Sequence, residues 1–267
     1  MGIKRVYSLL SFLALLLTSS ISNAASPSDV GIVLLHGKGG GPTFQVLVDF
    51  ASEMTAKGYK VTTPKLPWSG KKGKAEYTGS LDDTFEIIKG AIASLRQSGR
   101  EKIVLVGHSM GTAGAIAFVA TSPSVEGLIG IAPGHFPGSD FHNKFVFFDV
   151  KKAKEMVFNG NGDRTLKVED YNSGGRRFEM EVVAKNYLSL FDPKGPMNFG
   201  SNMEKLGETP LLWVAPDSDP VTTQGLAKDY FSMAPKNSKS KYIEINAEHI
   251  NAPVKGVEVI HKWISEL

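Results

Sequence analysis

The sequence predicts an α/β fold, a doubly wound and mostly parallel sheet of about six strands. Three observations carry that expectation. Six short apolar runs, several rich in β-branched residues, stand at 30–35, 59–63, 103–106, 125–131, 211–215 and 241–245. Runs of this length suit strands covered on both faces. Segments with helical apolar spacing separate most of them, and strands alternating with helices wind into a parallel sheet. Finally, Gly107-His108-Ser109-Met110-Gly111 sits where the third run gives way to a helix. Small residues on either side let the backbone turn tightly and hold a serine hydroxyl above the end of a sheet.

The elements follow in order. The first run ends at His36-Gly37-Lys38-Gly39-Gly40-Gly41-Pro42. A helix over 43–57 comes next, with Phe44, Leu47, Val48, Ala51 and Met54 on one face and Gly58 as its stop. Residues 65–79 read as a loop rich in Lys and Gly that carries Trp68. A helix over 81–95 has Leu81, Phe85, Ile88, Ile92 and Leu95 on one face. Ser80 suits its N-cap, and Asp82 and Asp83 suit its first turn. After the serine turn, Gly111, Ala113, Gly114, Ala115 and Ala117 keep the next helix slim enough to lie close to the sheet.

Residues 134–206 break this rhythm. Helices are expected at 151–158 and 178–191, with turns at Asn159-Gly160-Asn161-Gly162 and Ser173-Gly174-Gly175. The block is too long for a simple connection and reads as a functional cap. Phe136, Phe141, Phe145, Phe147 and Phe148 give it apolar surface, either as pocket lining or as its own core. Alternation then resumes, with helices expected at 223–233 and 253–267. The last buries Val254, Val257, Ile260 and Ile264 and has Pro253 near its start.

With 267 residues and 42% apolar content, the chain can build one sizeable core or two small domains. It has no cysteine, which excludes disulfides, thiolate metal sites and a cysteine nucleophile. Residues 1–24 read as an export signal. Lys4 and Arg5 precede an apolar stretch at 6–17 that is short for a bilayer span, and Ser22-Asn23-Ala24 puts small residues at a cleavage site. The mature chain would then occupy 25–267, in the periplasm or outside the cell, with no stable membrane span. Losing Lys4 and Arg5 leaves 28 basic against 27 acidic residues, lowering the formal charge from +3 to +1. Near-neutrality gives no argument for nucleic acid.

Four segments at strand ends carry the chemistry: HGKGG at 36–40, GHSMG at 107–111, PDSDPV at 216–221 and AEHINAP at 247–253. Ligands on such sheets sit beyond the carboxyl ends of the strands, so the four share one edge. A serine hydroxyl needs a base. His249 follows the last strand and precedes a helix, whereas His261 lies inside that helix. Asp217 and Asp219 both follow the 211–215 run. His135, Asp140 and His142 cluster at spacings that match no metal motif, so no metal is expected.

With these motifs the chain resembles the α/β-hydrolases over nearly all of its mature length. The resemblance implies a serine hydrolase that acts on esters through an acyl-enzyme, without a cofactor, on a small or lipid-like substrate. It implies Ser109 as nucleophile, His249 as base and Asp219 as acid in a family Asp-Pro-[Ile/Val] turn. Pro216 stands where glycine is common, so Asp217 remains the alternative. The backbone N–H groups of Met110 and Lys38 would form the oxyanion hole, with Gly39 as fallback. His36 would be structural, and His108 would face away from the nucleophile. Trp68 and Phe136 would bind substrate. Amide cleavage or acyl transfer by the same residues is the alternative, and a binding protein on this fold a third reading.

Overall fold

Strands buried on both faces form the middle of the protein. The computed structural model describes residues 26–171 and 176–267. The expected signal at 1–24 lies outside the described residues, as does the turn read at Ser173-Gly174-Gly175. After a 3₁₀ turn at Pro27–Asp29, β1 (Val30–Leu35) is buried throughout. α1 (Gln45–Ala56) then buries Leu47, Phe50 and Met54 and leads to β2 (Lys60–Thr62). The 65–79 loop holds a small ribbon, β3 (Gly70–Lys71) against β4 (Lys74–Ala75). α2 (Leu81–Gln97) starts on Ser80, which forms a reciprocal capping box with Asp83. β5 (Lys102–His108), α3 (Met110–Thr121) and β6 (Gly127–Ile131) complete the first half.

Between β6 and the next sheet strand lie α4 (Asp140–Phe158), β7 (Thr165–Tyr171), β8 (Arg177–Val183), α5 (Ala184–Phe191) and α6 (Phe199–Met203). Two expectations need correction here. The helix read at 151–158 begins at Asp140, on Ser139, whose hydroxyl accepts from His142 N at 3.1 Å. The helix read at 178–191 is helical only from Ala184. Residues 177–183 instead pair antiparallel with β7. The cause is the period of two: Leu166, Val168, Asp170, Met180 and Val182 point inward while the Glu and Lys between them point out.

The chain returns through β9 (Leu211–Pro216), α7 (Pro220–Thr223), α8 (Leu226–Met233), β10 (Lys241–Ile245), α9 (Ala252–Lys255) and α10 (Val257–Ser265). The expected final helix is thus two, split at Gly256.

The six-stranded sheet has the order β10-β9-β6-β5-β1-β2, and every pairing in it is parallel. Alternate strand residues feed two cores. Ile32, Leu34, Val104, Val106, Ile129 and Val214 pack with α1 and α10 on one face. Val33, Leu35, Leu105, Leu128 and Trp213 pack with α2 and α3 on the other. The buried side chains of the 134–206 segment, among them Val146, Val168, Tyr187 and Phe199, are continuous with this second core. Chain order reverses between β1 and β5, which pair directly. That switch point is where an open parallel sheet leaves a crevice for ligand.

Candidate active site

Strand register lines up the loops that carry the polar groups. Leu35 lies opposite Gly107, His108 opposite Ile131, and Ile245 opposite Pro216. The chain leaves each strand at about one height. Ser109 sits on the sharpest of these exits, with φ 54° and ψ −124°. A non-glycine residue there costs on the order of 1–3 kcal/mol. Fixed partners hold it: Ser109 N donates to Ile131 O at 3.0 Å, and the Thr112 hydroxyl donates to Gly107 O at 2.7 Å. The flanking glycines are steric necessities. A Cβ on Gly107 would lie 2.4 Å from Thr112 N, and one on Gly111 would lie 2.3 Å from Leu35 O.

His249 reaches the serine from the loop after β10. Its Nε2 lies 2.9 Å from Ser109 Oγ, and its Nδ1 lies 2.5 Å from Asp219 Oδ2. With the carboxylate accepting from Nδ1–H, Nε2 is left to accept from the serine hydroxyl. Asp219 is 2% exposed and caps α7, its Oδ1 accepting from Val221 N at 2.8 Å. Burial alone would push its carboxyl up, but the hydrogen bond and charge of His249, with the Val221 N–H, hold it below the usual carboxylate value. Asp217 is exposed and does not reach His249. It shapes the turn, accepting from Ala247 N at 3.3 Å. Of the two aspartates left open by the sequence, the structure brings Asp219 to the histidine.

The loop after β1 faces the same point, since a Cβ on Gly37 would lie 3.0 Å from Ser109 Cβ. Gly39 N donates to Trp68 O at 3.0 Å, so the fallback oxyanion donor is already engaged. Met110 begins α3, where the first N–H groups have no intrahelical acceptor. His36 anchors the loop. Its Nδ1–H donates to Gly37 O at 2.8 Å, and its Nε2 accepts from Ser69 Oγ at 2.9 Å. Burial lowers its pKa to about 4, against the opposing Gly37 bond, so it stays neutral.

The Lys38 side chain is anchored. Its Nζ pairs with Asp170 Oδ1 at 2.7 Å and also donates to Tyr171 O. Asp170 Oδ2 accepts from the Tyr77 hydroxyl at 3.0 Å. The loop after β1 is thereby tied to β7.

Two expected substrate contacts are corrected. Trp68 is fully buried; its indole donates to His36 O at 2.9 Å, and its ring fills the space left by Gly114. Phe136 is 5% exposed, stacked on Tyr230 and packed edge-on to Phe199. Both are packing residues of the second core. Three features escaped the sequence reading. Gly134 abuts the serine, and a Cβ there would lie 3.2 Å from Ser109 Oγ and 3.6 Å from His249 Cε1. His108 Nε2–H donates to His249 O at 2.9 Å and so props the histidine loop from behind. Asp170 holds Lys38. Of these only His108 lies in one of the four motifs; Gly134 lies at the start of the 134–206 segment, and Asp170 has no local signal.

His135 and His142 pack edge to face at 4.7 Å, while Asp140 sits at the exposed start of α4. Among the described residues, no three His, Asp or Glu side chains are grouped to hold a metal.

The profile of the family described as "Serine aminopeptidase, S33" (Hydrolase_4) matches residues 26–165, just over half of the chain. The chain belongs to this family. It is an α/β-hydrolase. A probable lipase of Schizosaccharomyces pombe is 37% identical over 93 residues, a match spanning 33% of this chain and only 21% of that relative's length. Solved structures agree in fold. A monoacylglycerol lipase of Paleococcus ferrophilus superposes with a TM-score of 0.61 at 19% identity, covering 90% of this chain and 96% of its own. A chain from the work on LipS and LipT, metagenome-derived lipolytic enzymes, gives 0.62 at 17%, covering 90% and 95%. The thioesterase domain from the curacin biosynthetic pathway gives 0.55 at 18%, covering 91% and 93%. At these identities the likeness concerns the hydrolase fold, and the site must carry the chemistry.

Proposed function

We propose that this α/β-hydrolase is a serine esterase working through an acyl-enzyme. The reading rests on one observation, the continuous hydrogen-bonded chain from Ser109 through His249 to Asp219. In the first step Ser109 Oγ attacks the ester carbonyl and its proton passes to His249 Nε2. The Met110 and Lys38 N–H groups stabilise the resulting oxyanion. Collapse expels the alkoxide, which takes the proton from His249 and leaves as the alcohol. Water then enters, gives a proton to His249 and attacks the acyl carbon. The second tetrahedral intermediate releases the carboxylic acid and returns the proton to Ser109. Asp219 keeps the imidazole in the productive tautomer and stabilises its cation, staying ionised. No step calls for a cofactor.

The 134–206 segment acts as a cap over the acyl and alcohol pockets, and the protein is exported after cleavage near Ala25, on the strength of the Lys4-Arg5 signal pattern. The curated relative's name as a probable lipase favours esters. The family's description as an aminopeptidase makes amides the matched comparison. The test is labelling with a fluorophosphonate probe, the modified peptide being identified by mass spectrometry, together with turnover of matched esters and amides. Ser109 should carry the label, Ser109→Ala should lose it while staying folded, and esters should turn over faster. Label on another residue, or near-normal turnover by Ser109→Ala, refutes the nucleophile. Preferred amide turnover refutes the esterase.

A further inference from the structure

Helix α4 departs from an ordinary surface helix. Its inward side is accounted for: His142, Val146, Val150 and Ala153 are buried. Its outward side should then be polar. Instead Phe141, Phe145, Phe147, Phe148 and Phe158 project from it at 60%, 46%, 60%, 80% and 91% exposure. These rings are not core, although Phe147 also borders an open surface hollow with Val150, Lys151 and Asp192. Phe141 meets Phe145 at 5.0 Å and Phe147 meets Phe148 at 5.3 Å, so four of the rings pair along the outward side of the helix, with Phe158 at its C-terminal end. Contiguous exposed apolar patches mark interaction surfaces.

The charges within the patch indicate what covers it. Lys144, Lys151 and Lys152 are exposed among the rings, and none makes an ion pair among the described residues. Lys154 lies beside them, paired with Asp192. Glu155 and, at the start of the helix, Asp140 are its exposed acids. Asp149 is half-buried and turned toward Glu169 N at 3.3 Å. Phenylalanines interleaved with long cationic side chains suit an interface that is apolar below and anionic above, since lysine stems can lie along the hydrocarbon while the ammonium reaches the headgroups. A second copy of the chain fits poorly, because a two-fold contact would set the same lysines against each other. Among the described residues no helix is long and apolar enough to cross a membrane, so the contact would be lateral.

We propose that α4 is a membrane-docking helix that lies in the surface of an anionic lipid bilayer. The phenylalanines enter the acyl boundary, and Lys144, Lys151 and Lys152 contact phosphate headgroups. Gly134, beside Ser109 Oγ, lies only a short loop, residues 135–139, before the start of α4. Docking would hold the serine's side of the sheet near the lipid, whichever bond the site cleaves.

The chain has no cysteine, so one can be introduced as a single labelling site. Phe148→Cys carries an environment-sensitive dye, with Gln97→Cys, exposed at the end of α2, as the control. The labelled full chain is mixed with vesicles of phosphatidylcholine alone or of phosphatidylcholine with phosphatidylglycerol. The dye at 148 should shift to the blue and be quenched by nitroxide-labelled acyl chains, chiefly in the anionic vesicles, while the dye at 97 should not. Lys144, Lys151 and Lys152 changed to Gln should weaken partitioning roughly five-fold per lysine. Phe141→Ser with Phe147→Ser should remove the shift while a soluble short-chain ester still turns over as before; Phe145 is left in place because it packs on Tyr171 of β7. A dye at 148 that stays in water on vesicle-bound protein overturns the proposal. So does a shift that survives the Phe141/Phe147 change, or a dimer in light scattering that the same change dissolves. The last result would make the face a protein interface.

Discussion

Asp219 and Asp217 stand two residues apart, and exchanging each for asparagine separates the acid from its neighbour. The geometry predicts the orientation of the new amide. Asp219 Oδ1 accepts from Val221 N at 2.8 Å, and only a carbonyl oxygen can keep that bond. In Asp219→Asn the amide nitrogen is therefore turned toward His249 Nδ1. A donor there forces the ring proton onto Nε2, and the Ser109 hydroxyl loses its acceptor. The carboxylate charge beside the developing imidazolium is lost as well. Two unit charges at about 4 Å interact by about 4 kcal/mol where the effective dielectric constant is near 20. With the tautomer reversal added, kcat should fall by about 10⁴, the scale known for this substitution in a triad on another fold. In Asp217→Asn the Oδ1 can still accept from Ala247 N, so kcat should change by less than about three-fold, as for most exposed substitutions. The assay is steady-state hydrolysis of one soluble ester at neutral pH, with circular dichroism on both variants. A large loss in Asp217→Asn beside a mild one in Asp219→Asn would refute the assignment of the acid and the tautomer argument with it.

Other outcomes follow from the same geometry. Asp170→Leu alone leaves Lys38 unpaired in a largely buried place and should destabilise by about 3–5 kcal/mol, whereas the pair Lys38→Met with Asp170→Leu should recover most of that in urea unfolding; no recovery would mean that the pair contributes only volume. Acid should destabilise the fold before the carboxylates titrate. Burial lowers His36 to about 4, His108 to about 3 and His135 to about 3, and drives His142 well down. The unfolded chain therefore takes up protons below about pH 6.5 that the folded one refuses, and stability present above that pH is lost as pH falls. Between pH 7.5 and 5.5 each such histidine costs about 1.4 kcal/mol; a flat urea midpoint over that window would contradict their burial in the neutral form. N-terminal sequencing of the exported protein should begin at or near Ala25, and a retained Met1 would make residues 1–24 an anchor.

Much of the fold was legible because burial on both faces leaves a strong trace. All six sheet strands read as apolar runs, and Ser80 with Asp83 marked the start of α2. The serine turn was legible because its glycines answer to a steric need within five residues. His249 was legible from its place after the last strand. The β7–β8 pair was lost for a different reason. Its outward positions carry charge at every second residue, and over 178–183 that alternation runs directly into the helical spacing of α5. The start of α4 was lost because phenylalanines stand where a surface helix carries polar groups, which blurs the 3.6-residue stripe. Trp68 was misjudged as a pocket residue because a loop tryptophan reads as exposed, and nothing local announces that its indole reaches back to His36 O.

The pairing of Lys38 with Asp170 was beyond any local reading, since 132 residues separate them. It also ties together two parts that the sequence presents as separate. In the proposed reaction the loop after β1 holds a backbone N–H toward the carbonyl oxygen of the substrate, and glycine-rich loops are poor at holding anything still. His36 fixes the loop's entry through Ser69 and Gly37. Gly39 N is fixed by Trp68 O. Between those points the Lys38 side chain runs into the 134–206 segment and is held there by a carboxylate whose other oxygen is occupied by Tyr77. The segment that would shape the substrate pocket therefore also braces the proposed oxyanion donor. A change of packing in β7 should then be felt at the transition state, not only in which substrates fit, because the same residue belongs to both.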